Sequence, residues 1–430
     1  KILINNFATM PEGCYQPEDL DKLVPDINLN NTTPLPEVSI EEEDIASIIY
    51  TSGTTGFSKG VVLTHKNLVW DARQCRTIQP VDETYRFLSI LPMAHTYENT
   101  LGLLLPLMFG AQVYYLDRVP TPKLLVPAMQ KIRPTVVLSV PLIIEKIYKS
   151  QVLPKFTSSK LMSKLYRFAP ARKLFNRLAG KKLMETFGGE LKFFGIGGSK
   201  LDGTVEQFLR EAKFPYAIGY GLTETAPMAA GSNPSQTFLQ GVGPVMEGVQ
   251  IKINDPDKSG QGEIWIKGPN VMKGYYKRPE LTAETFTEDG WFKTGDLGSF
   301  DKKNRLAIRG RIKTMILGAS GENIYPEEIE SIINNFRFVN ESLVVENSGK
   351  LVAMVHFNME ELEKQYQKLK DQAGNYKEKI NDYIEEQKQE LRDYVNARVN
   401  NFSKLQLVLV QHEPFEKTPT HKIKRFLYCK

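Results

Sequence analysis

The sequence predicts an α/β protein: a large domain built on mixed and parallel sheets with a β subdomain, then a small α+β domain. Three observations carry this. Short β-type runs at 45–50, 87–91, 112–116, 136–140 and 191–196 alternate with helical stretches, the pattern of a largely parallel sheet whose strands are joined by helices. From Val249 to Ile266 the texture changes to short strands between Gly, Asp and Pro turns. Near Arg311 it changes again, so we expect residues 1–310 to form the large domain and 311–430 a small, mobile lid domain.

Within the last part, Leu343–Glu346 and Leu351–Phe357 read as a hairpin around Asn347-Ser348-Gly349. Between residues 360 and 400, Leu362, Tyr366, Leu369, Tyr376, Ile380, Ile384, Leu391 and Tyr394 recur at three- and four-residue spacing among charges, an amphipathic helix pattern. No internal repeat is visible. The opening Lys1-Ile2-Leu3-Ile4 resembles a strand entered midway, so a fragment of a longer chain is expected.

Composition narrows the class. An apolar content of 41% and a charged content of 24% are ordinary for a globular protein, and 430 residues suffice for roughly three domain-sized units. Cys14, Cys75 and Cys429 are too far apart for a C-x-x-C metal pair and odd in number, which fits a reducing, cytoplasmic compartment. The most apolar run, Leu101–Gly110, is about half of what a bilayer span needs.

The net charge of +5 hides an asymmetry: residues 146–182 hold eleven Lys/Arg and no acid. Tyr148, Phe156, Leu161, Leu165, Tyr166, Phe168, Leu174, Phe175 and Leu178 interleave with these cations. Such a segment can lie on an anionic membrane, here at its inner face, or attract a polyanion; it can equally be a solvated helical pair with its apolar face in the core. No recognised nucleic-acid motif accompanies it, so nucleic acid is not an expected partner.

The most informative stretch is Tyr50–Val62, Y-T-S-G-T-T-G-F-S-K-G-V-V. Gly53, Gly56 and Gly60 permit close backbone approach, Thr51, Ser52, Thr54, Thr55 and Ser58 add hydroxyl donors, and Lys59 adds a cation. A loop with many N–H and O–H donors beside an ammonium suits a polyphosphate. A Walker A loop would need G-x-x-x-x-G-K-[ST] opening into a helix, whereas Lys59 lies three residues after Gly56 and Val61-Val62-Leu63 continues as a strand. The loop is therefore expected to join two strands. Gly195-Ile-Gly-Gly198 is no dinucleotide fingerprint either, because Lys200 stands where the third glycine is needed.

Further blocks follow in order: Leu91-Pro-Met-Ala-His-Thr-Tyr-Glu98, Gly219-Tyr-Gly-Leu-Thr-Glu-Thr225, Asp289-Gly-Trp-Phe-Lys-Thr-Gly-Asp-Leu-Gly298, Arg309-Gly-Arg-Ile-Lys313, Gly321-Glu-Asn-Ile-Tyr-Pro-Glu-Glu-Ile-Glu330 and Thr418-Pro-Thr-His-Lys-Ile-Lys-Arg425. From about residue 45 onward the chain thereby resembles the adenylate-forming enzymes, and the 91–98 block looks most like the long-chain fatty acyl-CoA synthetases. Members usually carry more chain ahead of the phosphate loop, so part of the large domain is expected to be missing.

The resemblance implies an ATP-dependent ligase that converts a long-chain fatty acid to an acyl-adenylate and then to the coenzyme A thioester, with Mg²⁺ as cofactor. The same motifs also serve acyl-AMP ligases and carrier-protein synthetases, and a non-catalytic nucleotide-binding scaffold is the alternative from another class. Phosphoryl transfer is mainly positioning and charge stabilisation, so the expected roles follow charge.

The resemblance implies that Thr51, Ser52, Gly53, Thr54, Thr55, Gly56 and Lys59 hold the outer phosphates. Thr223 and Glu224 belong to the catalytic group, with Glu224 and the Thr51 hydroxyl serving Mg²⁺. Tyr220 and Gly221 with Gly197 and Gly198 would hold the adenine, and Asp296 and Arg311 the ribose. Lys422 corresponds to the mobile catalytic lysine, although His421 stands where many members have glycine and Lys424 and Arg425 lie close by. Lys313 falls at the hinge and Gly321 in the loop brought toward coenzyme A. His95, with Met93 and Tyr97, either gates the acyl entrance or is a structural histidine.

Overall fold

In the computed structural model, residues 38–52, 58–116, 120–157, 159–318, 322–369, 376–417 and 423–428 are described. The five expected strands of the large domain all form, at Ile45–Ser52, Arg86–Ser89, Gln112–Tyr115, Val136–Ser139 and Phe193–Ile196. The last four join Tyr216–Gly221 and Met228–Gly231 in a six-stranded sheet. Its order is Gln112–Tyr115, Arg86–Ser89, Val136–Ser139, Phe193–Ile196, Tyr216–Gly221, Met228–Gly231, parallel throughout except for the final antiparallel pair.

Alternating strand residues supply two cores, as a sheet covered on both faces requires. Phe87, Val113, Val136 and Leu138 pack on one side with Leu68, Ala72 and Cys75 of the His65–Ile78 helix. Leu88, Tyr114, Val137, Phe194 and Ile196 pack on the other with Ile144, Leu183, Phe208 and Leu209. There the Ala169–Thr186 and Gly203–Ala212 helices touch closely, because a Cβ on Gly180 would lie 2.5 Å from the Ala212 carbonyl oxygen.

The change of texture near Val249 is an antiparallel sheet of Gln250–Asn254, Gly262–Lys267, Phe292–Phe300 and Leu306–Arg311. A separate three-stranded sheet places Ser58–Thr64 between Ile45–Ser52 and the short Gly274–Tyr275 strand. Further on, Val339–Asn347 and Lys350–Phe357 form the expected hairpin. Its turn residues Ser348 and Gly349 have φ of 53° and 75°, the left-handed pair that a two-residue turn uses. Leu407–Val410 adds a parallel third strand. The expected amphipathic pattern appears as the Met359–Leu369 and Tyr376–Asn396 helices, whose Leu362, Tyr366, Tyr383 and Leu391 join the core of this sheet.

The Leu101–Gly110 run lies largely within two helical segments, Glu98–Leu104 and Leu105–Met108, with Leu101 and Leu105 buried. Among the described residues, no helix is long and apolar enough to cross a membrane. The basic segment divides its apolar residues: Phe156 stacks on Tyr166 and Phe175, whereas Leu161, Phe168, Leu174 and Leu178 are 58–69% exposed.

Candidate active site

The glycine- and hydroxyl-rich segment does join two antiparallel strands, with Thr51 opposite Lys59 and Ser52 opposite Ser58. Directly opposed residues project to one side of the ladder, so the Thr51 hydroxyl and the Lys59 ammonium share a face. Gly60 is needed for space, since a Cβ there would come within 3.0 Å of Ile48 Cγ2. Gly53, Thr54, Thr55 and Gly56 lie outside the described residues.

The neighbouring Gly274–Tyr275 strand brings in a residue that no motif marked. Lys59 Nζ stands 4.9 Å from the Tyr275 ring centroid, and the Tyr275 hydroxyl donates to Glu224 Oε1 at 2.8 Å. The hairpin and Glu224 therefore meet across one aromatic ring. Burial holds the Lys59 ammonium below its ordinary pKa, Lys313 adds to this, and Glu224 and Glu284 oppose it. Lys313, read only as a hinge from the sequence, thus shares the electrostatic neighbourhood of Lys59. Burial, reinforced by Glu224, raises the Tyr275 phenol, so it stays a hydrogen-bond donor.

Glu224 occupies the short Thr223–Thr225 turn after the Tyr216–Gly221 strand. Its own carbonyl accepts from Met272 N at 2.9 Å. The Thr225 hydroxyl accepts from Leu222 N and donates to Pro227 O at 2.6 Å, closing the turn. Gly221 is sterically obligatory here: a Cβ would fall 1.6 Å from the Pro227 oxygen.

A second cluster forms around Asp296. Its carboxylate accepts from the Tyr220 hydroxyl at 3.0 Å and from Arg311 Nε at 2.9 Å, and it is only 4% exposed. Asp296 and Arg311 are cross-strand partners, so the sheet register itself sets their contact. The Asp296 carboxylate raises the Arg311 guanidinium further, and burial followed by Asp296 raises the Tyr220 phenol. Gly295 adopts a φ of +70° and donates to Glu263 Oε1, while Thr294 Oγ accepts from Asp296 N.

The Gly195-Ile-Gly-Gly198 run has an aromatic neighbour that the sequence did not mark. Tyr97 lies against it: a Cβ on Gly195 would be 2.8 Å from the Tyr97 hydroxyl oxygen, and one on Gly197 would be 3.3 Å from the ring. Tyr97 is also a wall of an apolar cavity of about 50 Å³, together with Cys75, Leu101, Leu138, Gly219 and Met228. His95 is not among the wall residues; its Nδ1 is 3.3 Å from Tyr97 N. Behind the wall, the Glu98 carboxyl is buried against Ser89 Oγ at 2.5 Å, and burial pushes it up to about 7.

No group of three or more His, Cys, Asp or Glu side chains that could hold a metal occurs among the described residues. Glu224 is a single carboxylate joined through Tyr275 to the Lys59 strand, a donor set that would suit a Mg²⁺ carried mainly by a ligand's own phosphates. Lys422 and Gly321 lie outside the described residues. Sequence reading placed Tyr97 beside His95 at the acyl entrance but did not single out Tyr275, and Glu98 figured only as the end of its block.

Comparison with known proteins supplies the context for this geometry. A family model described as AMP-binding enzyme matches residues 4–276. The chain is 30% identical over 434 residues to long chain acyl-CoA synthetase 6, peroxisomal, of Arabidopsis thaliana, covering 93% of this chain and 61% of that protein. It is also 30% identical to the chloroplastic long-chain-fatty-acid–[acyl-carrier-protein] ligase AEE15 of the same plant, covering 78% of this chain and 54% of the other. The chain thus spans little more than half the length of these curated relatives. Its fold matches ATP-bound MatB from Rhodopseudomonas palustris with a TM-score of 0.70 at 23% identity, covering 92% of this chain and 69% of that one.

Proposed function

Because the chain belongs to the AMP-binding enzyme family, we propose that it is the larger part of an AMP-forming long-chain fatty acid–CoA ligase. ATP and the acid give acyl-adenylate and pyrophosphate; the acyl group then passes to the thiol of coenzyme A and AMP leaves. The observation that carries this reading is the pairing of two clusters. Lys59, Tyr275 and Glu224 suit phosphates and a cation, whereas Tyr220, Asp296 and Arg311 suit a nucleoside.

In this reading Thr51, Ser52 and Lys59 hold the outer phosphates, with Gly53, Thr54, Thr55 and Gly56 between them. Glu224, oriented by Tyr275, and the Thr51 hydroxyl are the protein groups that would hold Mg²⁺, which when bound would supply charge neutralisation for the leaving pyrophosphate, and Thr223 positions Glu224. Asp296 accepts from the ribose hydroxyls, and Arg311, its cross-strand partner, pairs with that carboxylate. Tyr220 with Gly221, Gly197 and Gly198 borders the base. Lys422 arrives from the small domain, 311–430, which turns about Lys313 and then brings Gly321 toward coenzyme A. His95 stands at the acyl entrance.

The acyl chain enters the cavity behind Tyr97, where each buried CH₂ contributes about 0.8 kcal/mol. At about 50 Å³ the cavity is far below the several hundred Å³ of a typical ligand pocket, so its walls must part to admit a long chain. Names of relatives support both acceptors, coenzyme A and acyl-carrier protein, and the second remains the alternative reading. We also place an anionic membrane against 146–182, because Leu161, Phe168, Leu174 and Leu178 stay exposed among its cations. Sedimentation with anionic liposomes at low salt tests this contact, and absence of binding rejects it.

The decisive experiment measures pyrophosphate release with carboxylic acids of graded length, then thioester formation with coenzyme A or acyl-carrier protein. Long acids and coenzyme A should be preferred. No AMP from ATP with any acid would overturn the reading.

A further inference from the structure

The start of the Gly203–Ala212 helix meets the Pro326–Ile333 helix through polar contacts that bind no substrate in the reading above. Lys200 Nζ lies 2.9 Å from Glu328 Oε1, both side chains being partly exposed. Two residues on, Asp202 is 7% exposed and uses both oxygens. Oδ1 caps its own helix, accepting from Thr204 N at 2.8 Å and Val205 N at 2.9 Å. Oδ2 reaches across to accept from Ser331 Oγ at 3.2 Å and from Asn335 Nδ2. A helix cap needs only the first oxygen, so the second set of bonds has another purpose.

Support beneath this contact is equally specific. Glu145 Oε1 accepts from Asp202 N at 3.0 Å and so anchors the residue from behind. From the Pro326–Ile333 helix, Glu330 Oε1 accepts from Val344 N at 2.7 Å and from both terminal nitrogens of Arg425, at 2.6 and 2.8 Å. Arg425 lies three residues after position 422, and Lys417 pairs with Ile423 across the interval 418–422. A continuous chain of contacts thus runs from Lys200 and Asp202, through one helix, to the segment flanking Lys422.

We propose that Lys200 and Asp202 are positioning residues for adenylation: they seat the Pro326–Ile333 helix and, through Glu330 and Arg425, the 423–428 segment that follows Lys422 in the sequence. This rests on the role given to Lys422 above. Rotation of the small domain for thioester formation would part Lys200 from Glu328 and Asp202 from Ser331. Loss of the seat therefore weakens the first half-reaction and spares the second.

The test is a charge swap in the full chain. Lys200→Glu sets two carboxylates face to face and should slow acyl-adenylate formation roughly fivefold, the scale of one partly exposed ion pair. Thioester formation from supplied acyl-adenylate should stay unchanged. Adding Glu328→Lys restores attraction with reversed polarity and should return the rate to within about twofold, a rescue that a direct Lys200–substrate contact would not allow. Ser331→Ala combined with Asn335→Ala removes the outer partners of Asp202 while keeping its cap, and should give the same selective loss.

Equal loss in both half-reactions, or no recovery in the swap, overturns the proposal. Amide hydrogen exchange over 326–333 and 423–428 gives a readout without turnover. It should quicken in Lys200→Glu and recover in the swap, and unaltered exchange refutes the seat. If the parent protein forms no adenylate with any acid, the ligase reading fails, while exchange still decides whether the contact holds.

Discussion

Tyr275 donates its hydroxyl to Glu224 Oε1 at 2.8 Å while its ring lies 4.9 Å from Lys59 Nζ, so one side chain orders an anion and a cation from distant segments. Tyr275→Phe keeps the ring beside Lys59 and removes only the bond to Glu224. Adenylation should then need more Mg²⁺, with a loss of roughly ten- to hundredfold at limiting metal, the scale of one hydrogen bond to a charged group. Titration of initial rate against Mg²⁺ checks this. An unchanged metal requirement would show that Glu224 needs no help.

The Lys59 ammonium is depressed first by burial and then by Lys313. A cation with a lowered pKa sheds its charge earlier as pH rises, so phosphate holding should fail sooner on the alkaline side than for an ordinary lysine. Lys313→Gln removes one of the two depressing causes. The alkaline limb of kcat/KM for ATP should move to higher pH; a limb that stays put, or moves down, contradicts the coupling.

Lys422→Ala should slow acyl-adenylate formation by on the order of 100-fold or more, the effect of losing one transition-state donor. Thioester formation from supplied acyl-adenylate should be largely spared. Comparable losses in both steps would remove Lys422 from the role proposed for it.

Met228 presses its terminal methyl against two glycines, since a Cβ on either Gly219 or Gly231 would lie 2.8 Å from Met228 Cε. Gly219→Ala should swing that flexible end away rather than unfold the sheet, narrowing the cavity whose wall both residues form. KM for long acids should rise several-fold with little change for ATP. Combining it with Met228→Ala should restore the acid KM, and failure to do so would place the acyl chain elsewhere.

Glu98 is 1% exposed and its carboxyl is pushed up to about 7 by burial. Its folded pKa lies above the unfolded value, so the folded state holds the extra proton between them. Stability from this group is full below about pH 4.5 and is lost as pH rises toward 7, by roughly 3 kcal/mol at most. Glu98→Gln should flatten that part of the pH profile of chemical denaturation. A slope that persists in the variant would assign it to other groups.

Much of this was readable in advance, for physical reasons that differ by element. Four of the five alternating runs became strands of the main sheet, and the first paired instead with Ser58–Thr64. The Ser348-Gly349 turn followed from residues that tolerate positive φ. The hairpin context of Lys59 could be inferred because Val61-Val62-Leu63 continues as a strand. Tyr275 was hidden because its partner Glu224 lies 51 residues away, and a tyrosine beside apolar residues looks like core. Tyr97 over the glycine run was hidden likewise, and the burial of Glu98 depends on Ser89, which no local pattern links to it.

Among the described residues, the strand Ser58–Thr64 finds its second neighbour in Gly274–Tyr275. During synthesis the hairpin must therefore wait with one border bare until the ribosome has released residue 275, and Glu224 waits as long for its partner. A nascent chain stalled before that point would expose an open ladder to other chains and would lack the ring that joins Lys59 to Glu224. Chaperone demand should accordingly be greatest for ribosome-bound intermediates that end within this interval.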